Sequence, residues 1–112
     1  MEITSEADGL VTVLKIAGSL NSGTVHGLED AAITVIDGGS HRVILDMQAV
    51  DYVSSAGLRV ILVAAKKAKA AGGGIALFGL QPAVDEVFRT CGFGALVPLA
   101  ASDADARQIL MI

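Results

Sequence analysis

The chain has 112 residues, 53% of them hydrophobic and 18% charged, and a formal net charge of -4. That length predicts one domain over residues 1–112, with ample material for a buried core and no signature of disorder. An acidic chain whose basic residues cluster only at Lys66-Lys67-Lys69 is poorly suited to gripping a phosphate backbone, so no direct nucleic-acid contact is expected.

The first residues, Met1-Glu2-Ile3-Thr4-Ser5-Glu6, lack the basic segment and apolar core of a secretory signal. Residues 3–7 and 10–16 read as two strands, with Asp8-Gly9 as the hairpin turn because both residues tolerate positive φ. Both alternating sets of the second strand are largely apolar, which predicts cover on both faces. Gly18-Ser19-Leu20-Asn21-Ser22-Gly23 reads as a loop. A helix follows over residues 24–36, its apolar side made by Leu28, Ala31, Ala32, Val35 and Ile36 and its end by Asp37-Gly38-Gly39-Ser40.

Arg42-Val43-Ile44-Leu45-Asp46 is a compact apolar run and reads as a buried strand, with residues 47–53 as a short, irregular connection. The next helix spans residues 55–70, with Leu58, Ile61, Leu62, Ala65 and Ala68 as its apolar stripe and Arg59, Lys66 and Lys67 off it. Gly72-Gly73-Gly74 ends that helix. Residues 75–78 form another buried strand, and Pro82 opens a third helix whose apolar face is Ala83, Val84, Val87, Phe88 and Cys91. Residues 97–99 read as an edge strand, where Pro98 is tolerated, and residues 103–111 as a last helix. The apolar stretches at residues 60–65 and 92–101 fall well short of the roughly 20 residues that span a bilayer, so no membrane insertion is expected. An initial hairpin followed by alternating helices and strands predicts an α/β fold with a mixed sheet of four to five strands, the later ones parallel, and about four helices.

Few residues suggest catalysis. Cys91 is the only cysteine, which suits a reducing compartment, and on a helix's apolar face it reads as a small core residue. His26 and His41 have no metal-ligand spacing with it, so neither a metal nor a catalytic set is expected. There is no phosphate-binding glycine loop and no nucleophile elbow, and no cofactor is expected. Asp46 and Asp51 are close enough in sequence to suggest paired carboxylates, but nothing completes an acid/base set. The acidic pair of a two-component receiver domain is missing after the first strand.

The informative segment is Tyr52-Val53-Ser54-Ser55-Ala56-Gly57-Leu58, where a buried strand runs through a polar turn into a helix. The first amides of a helix have no partners within it, and the helix dipole favours negative charge there. Two uses of the serines follow. Ser54 or Ser55 can be a plain N-cap, or one of them can carry a phosphoryl group at a place that tolerates it. Gly57, costly in a first turn, implies a close approach, either by the helix's own sheet or by a partner.

The ordered set of these motifs resembles the STAS domain family, and within it the stand-alone bacterial anti-sigma factor antagonists. The resemblance is carried by Gly18-Ser19-Leu20-Asn21, Val43-Ile44-Leu45-Asp46-Met47, Tyr52-Val53-Ser54-Ser55-Ala56-Gly57-Leu58, Gly72-Gly73-Gly74, Leu80-Gln81-Pro82-Ala83-Val84 and Thr90-Cys91-Gly92-Phe93. It implies a STAS-type fold and a cytoplasmic, non-enzymatic regulator that works by partner switching. The unmodified antagonist would bind an anti-sigma factor that is also a serine kinase, freeing a sigma factor. That kinase would inactivate it by phosphorylating Ser55, with Ser54 as the runner-up acceptor, and a PP2C-type phosphatase would reverse the step. Partner contacts are implied at Asn21, Ser22 and Thr24 and at Ser54, Ser55, Ala56, Gly57 and Leu58. Asn21 and Ser54 stand where many or some relatives carry aspartate. The alternative within the family is a non-catalytic interaction subunit of a stressosome-like or lipid-transport complex.

Overall fold

The computed structural model describes residues 1–111. Strand β1 (Glu2–Asp8) pairs antiparallel with β2 (Val11–Leu20), and helix α1 (Val25–Asp37) then leads to β3 (Arg42–Val53). Helix α2 (Ser55–Ala70), strand β4 (Gly74–Phe78), helix α3 (Pro82–Thr90), a single 3-10 turn (Phe93–Ala95), strand β5 (Leu99–Ala100) and helix α4 (Asp103–Met111) complete the order. The five strands lie side by side in chain order, β1-β2-β3-β4-β5, and every pair after the hairpin is parallel. The predicted mixed sheet and four helices are therefore present.

The apolar runs of β2, β3 and β4 are explained by helices on both sheet faces. One face presents Leu14, Ile16, Val43, Leu45, Met47, Ile75 and Leu77 to Leu28 and Ala32 of α1, Ile61 and Ala64 of α2, and Val84 and Phe88 of α3. The other presents Val11, Val13, Ile44, Ala76 and Phe78 to Ala106 of α4. Each large side chain buried this way contributes about 1.5–3 kcal/mol. Arg107 ties α4 to the hairpin by reaching Asp8 at 2.8 Å while also pairing with Asp103 one turn earlier. Among the described residues no helix is long and apolar enough to cross a membrane.

Several expected boundaries are corrected. The hairpin turn falls one residue later, at Gly9 and Leu10, because Asp8 still pairs with Val11. The expected loop at Gly18-Ser19-Leu20 is the end of β2, and the expected connection at residues 47–53 is the second half of β3, paired with it. Two register shifts in this pairing, between Lys15 and Ala17 and between Gly18 and Ser19, destroy the period of two that would mark a strand. Residues 47–53 are instead buried at every third position, Met47, Val50 and Val53. Gly18 takes φ +108 at the second shift, a backbone geometry open mainly to glycine.

The buried stripe of α2 is Gly57, Val60, Ile61, Ala64 and Ala68, while the expected Leu58, Leu62 and Ala65 are only partly buried along its flank. In α3 only Val84 and Phe88 are buried. Cys91 is exposed, not a core residue, because the helix stops at Thr90 and the chain turns at the left-handed Gly92. Phe93 fills the core position instead, its ring 4.8 Å from that of Phe88. The edge strand lies at Leu99–Ala100, just beyond Pro98.

Candidate functional site

Because β2 and β3 are parallel and stay paired to Leu20 and Val53, the segments that leave them emerge side by side. One is the turn into α1, the other the turn into α2. The two helices thus begin at the same end of the sheet, the carboxyl end of its parallel strands, where open α/β folds place their working loops. Ser54 is fixed there by its own backbone: its N–H donates to the Leu20 carbonyl at 2.8 Å, and its carbonyl accepts from the Leu58 N–H at 3.0 Å.

The two serines are separated by this geometry. Ser54 is the N-cap of α2, in extended conformation, and its Oγ accepts from the Gly57 N–H at 3.2 Å. Ser55 is the first helical residue and is exposed. Its hydroxyl has no hydrogen-bond partner among the described residues. Two of the first-turn amides, those of Ser55 and Ala56, have no intrahelical acceptor, and no acidic residue occupies that turn. An anion on Ser55 therefore meets the favourable end of the helix dipole without a nearby carboxylate in its own turn.

Gly57 is buried, and its close neighbour is the protein's own sheet. A Cβ there would lie 3.0 Å from Val53 Cγ1, 3.1 Å from Leu20 Cβ and 3.2 Å from the Leu20 carbonyl oxygen. Of the two explanations open for this glycine, packing of α2 on β2 and β3 is the one found. Ala56 and Leu58 are half-buried beside it.

The turn into α1 is held by internal hydrogen bonds. Asn21 Oδ1 accepts from the Gly23 N–H at 2.9 Å, and the Asn21 carbonyl accepts from the amides of Thr24 and Val25, each at 3.0 Å. Thr24 donates its hydroxyl to the Ser19 carbonyl at 2.7 Å and accepts from the Asn21 N–H at 3.0 Å. Thr24 and Asn21 thus shape the turn, whereas Ser22 is exposed.

Ser19 and Asp51, neither of them expected at the site, hold the arrangement. The Ser19 hydroxyl donates to Asp51 Oδ1 at 2.8 Å, clipping the end of β2 to the end of β3. Asp46 is buried and accepts from the Gln48 N–H at 3.0 Å, so the two aspartates serve separate structural contacts and form no carboxylate pair. Arg59, expected off the apolar stripe of α2, is exposed one turn after Ser55.

A family model described as the STAS domain matches residues 2–106. The chain belongs to the STAS domain family. Among STAS relatives, a Bordetella bronchiseptica protein named as an anti-sigma factor antagonist, BtrV, is 37% identical over 102 residues, spanning 91% of this chain and 88% of that one. A Thermotoga maritima protein named as an anti-sigma factor antagonist superposes with a TM-score of 0.90 at 19% identity, covering 98% of this chain and 95% of the other. The anti-sigma factor antagonist SpoIIAA of Bacillus superposes in its unphosphorylated form with a TM-score of 0.79 at 18% identity, covering 96% of each chain. In its phosphorylated form it gives 0.73 at 19% identity, covering 96% of this chain and 99% of the other. At such identities the three structural matches speak for the fold.

Proposed function

We propose that this STAS protein is a cytoplasmic anti-sigma factor antagonist, switched off by phosphorylation of Ser55. The observation that carries the choice of residue is the contrast between neighbours: the Ser54 hydroxyl is engaged as the helix cap, and the Ser55 hydroxyl is exposed. The likeness to BtrV, at 37% identity over most of both chains, supports the antagonist role.

In this reading the partner is an anti-sigma factor with serine kinase activity. It docks on the surface formed by Asn21, Ser22 and Thr24 and by Ser54, Ser55, Ala56 and Leu58, with Gly57 setting how closely α2 lies on the sheet. Docking brings Ser55 to the kinase's ATP. The serine oxygen loses its proton to the kinase's base and forms a bond to the γ-phosphorus, the bond to the bridging oxygen breaks, and ADP leaves. The product carries about -1.5 to -2 added charge on a chain already at -4, and it fills the docking surface with a bulky anion. The α2 start accommodates the phosphate, so release of the partner follows from repulsion and steric exclusion, without unfolding. A PP2C-type phosphatase hydrolyses the ester and restores binding.

The test is phosphorylation by the cognate kinase followed by mass spectrometry of wild type, Ser54→Ala and Ser55→Ala. The expected outcome is modification of the first two and none of Ser55→Ala. Continued modification of Ser55→Ala at Ser54 or elsewhere contradicts the assignment.

A further inference from the structure

The fold leaves one cation exposed and unpaired beside Ser55. Among the described residues, the ion pairs use Lys67, Arg89 and Arg107, and Arg59 takes part in none of them. Arg59 lies on α2 four residues after Ser55, and both are exposed. Side chains four apart share a helix face, about 6 Å along the axis. Helical side chains lean toward the N-terminus, so an arginine at the later position reaches back over the earlier one. Its length matches the gap, and its planar fork matches two oxygens of a phosphate.

We propose that Arg59 pairs with the phosphoryl group on Ser55 and fixes its charge state. This rests on Ser55 being the modified residue. The second ionisation of a serine phosphate falls near pH 6, close enough to neutrality for a neighbouring cation to matter. Pairing with the guanidinium favours the dianion and holds it flat along the exposed face of α2. The switch then acts with both negative charges at neutral pH, and the phosphate is oriented by a residue of this chain before any partner arrives.

Other charged or titratable groups lie near this end, among them the α-ammonium of Met1, which sits against Gly18, and Glu2, which pairs with Ala17. Asp51 is engaged by Ser19 at the end of β3, with Tyr52 exposed beside it. On the neighbouring α1, His26 is exposed in the first turn, and Glu29 and Asp30 follow in the second. Replacing Arg59 alone leaves all of these in place, so a difference between the two proteins reports the guanidinium.

The experiment uses the full chain with phosphoserine incorporated directly at position 55, alone and combined with Arg59→Gln. Phosphorus NMR titration gives the second pKa of the phosphate in each. Because Arg59 is exposed, the substitution leaves the fold intact. The expected result is a pKa lower by about half a unit with Arg59 present. Equal values overturn the pairing. Direct incorporation bypasses the kinase, so a kinase that ignores Ser55 sinks the functional reading without altering this titration.

Discussion

The Ser54 Oγ lies 3.2 Å from the Gly57 amide, whereas the Ser55 side chain projects from the first helical position into solvent. The difference comes from where the helix starts. A residue in extended conformation just before the first turn can fold its side chain onto the third amide; a residue inside the turn cannot. The two serines should therefore separate by measurement. Ser54→Ala removes a cap and is expected to lower stability by about 1 kcal/mol in urea denaturation. Ser55→Ala removes an exposed hydroxyl and is expected to stay within about 0.5 kcal/mol of wild type. A larger loss for Ser55→Ala would show that its hydroxyl has a structural use. The sequence made the two-serine element conspicuous but could not order the pair, since either residue can cap and the deciding fact is one φ/ψ change between them.

Helix α2 lies on the sheet through a close approach at Gly57 that an added side chain would crowd. At Gly57 two opposed effects compete. Alanine is better than glycine in a helix by about 1 kcal/mol. Against this, an added Cβ would press on Val53, on the Leu20 side chain and on the Leu20 carbonyl, which also accepts the Ser54 N–H at 2.8 Å. Overpacking of this kind costs about 1–3 kcal/mol. The backbone partner makes relaxation costly, so Gly57→Ala is expected to destabilise by about 1–2 kcal/mol net in urea denaturation; a gain in stability would mean that α2 can move off the sheet freely.

The same region shows how far pattern reading goes. The halves of β2 and β3 with clear apolar runs were legible, as were all four helices. The halves that carry the site were not, because Gly18 and Ser19 look like loop residues and the register shifts replace alternation by burial at every third position. Irregular pairing there ends both strands together and delivers the two turns side by side. In α3, Cys91 followed the helical period but fell beyond the helix end, a boundary set by Gly92 and by the Phe88–Phe93 contact.

For the molecule as a whole, the parallel order of β2, β3 and β4 places the starts of α1, α2 and α3 at the carboxyl end of the sheet, and the chain-order sheet keeps α1 and α2 adjacent. The family and the fold class were legible from motifs spread over the whole chain; the internal hydrogen bonding of Asn21 and Thr24 was not, since it depends on the Ser19 carbonyl presented by the end of β2. One charged group placed at the start of α2 lies beside the turn into α1, to which the Ser54 N–H is tied through Leu20, so in the proposed reading a local modification denies a partner the whole face. Like charges or a buried unpaired charge across an interface cost several kcal/mol. The most direct measurement is the affinity of the cognate anti-sigma factor, by titration calorimetry, for the unmodified chain and for the chain carrying phosphoserine at position 55. Tight binding of the first and a loss of about 100-fold or more for the second is the predicted result. Equal affinity for the two forms would contradict the claim that Ser55 is the switch.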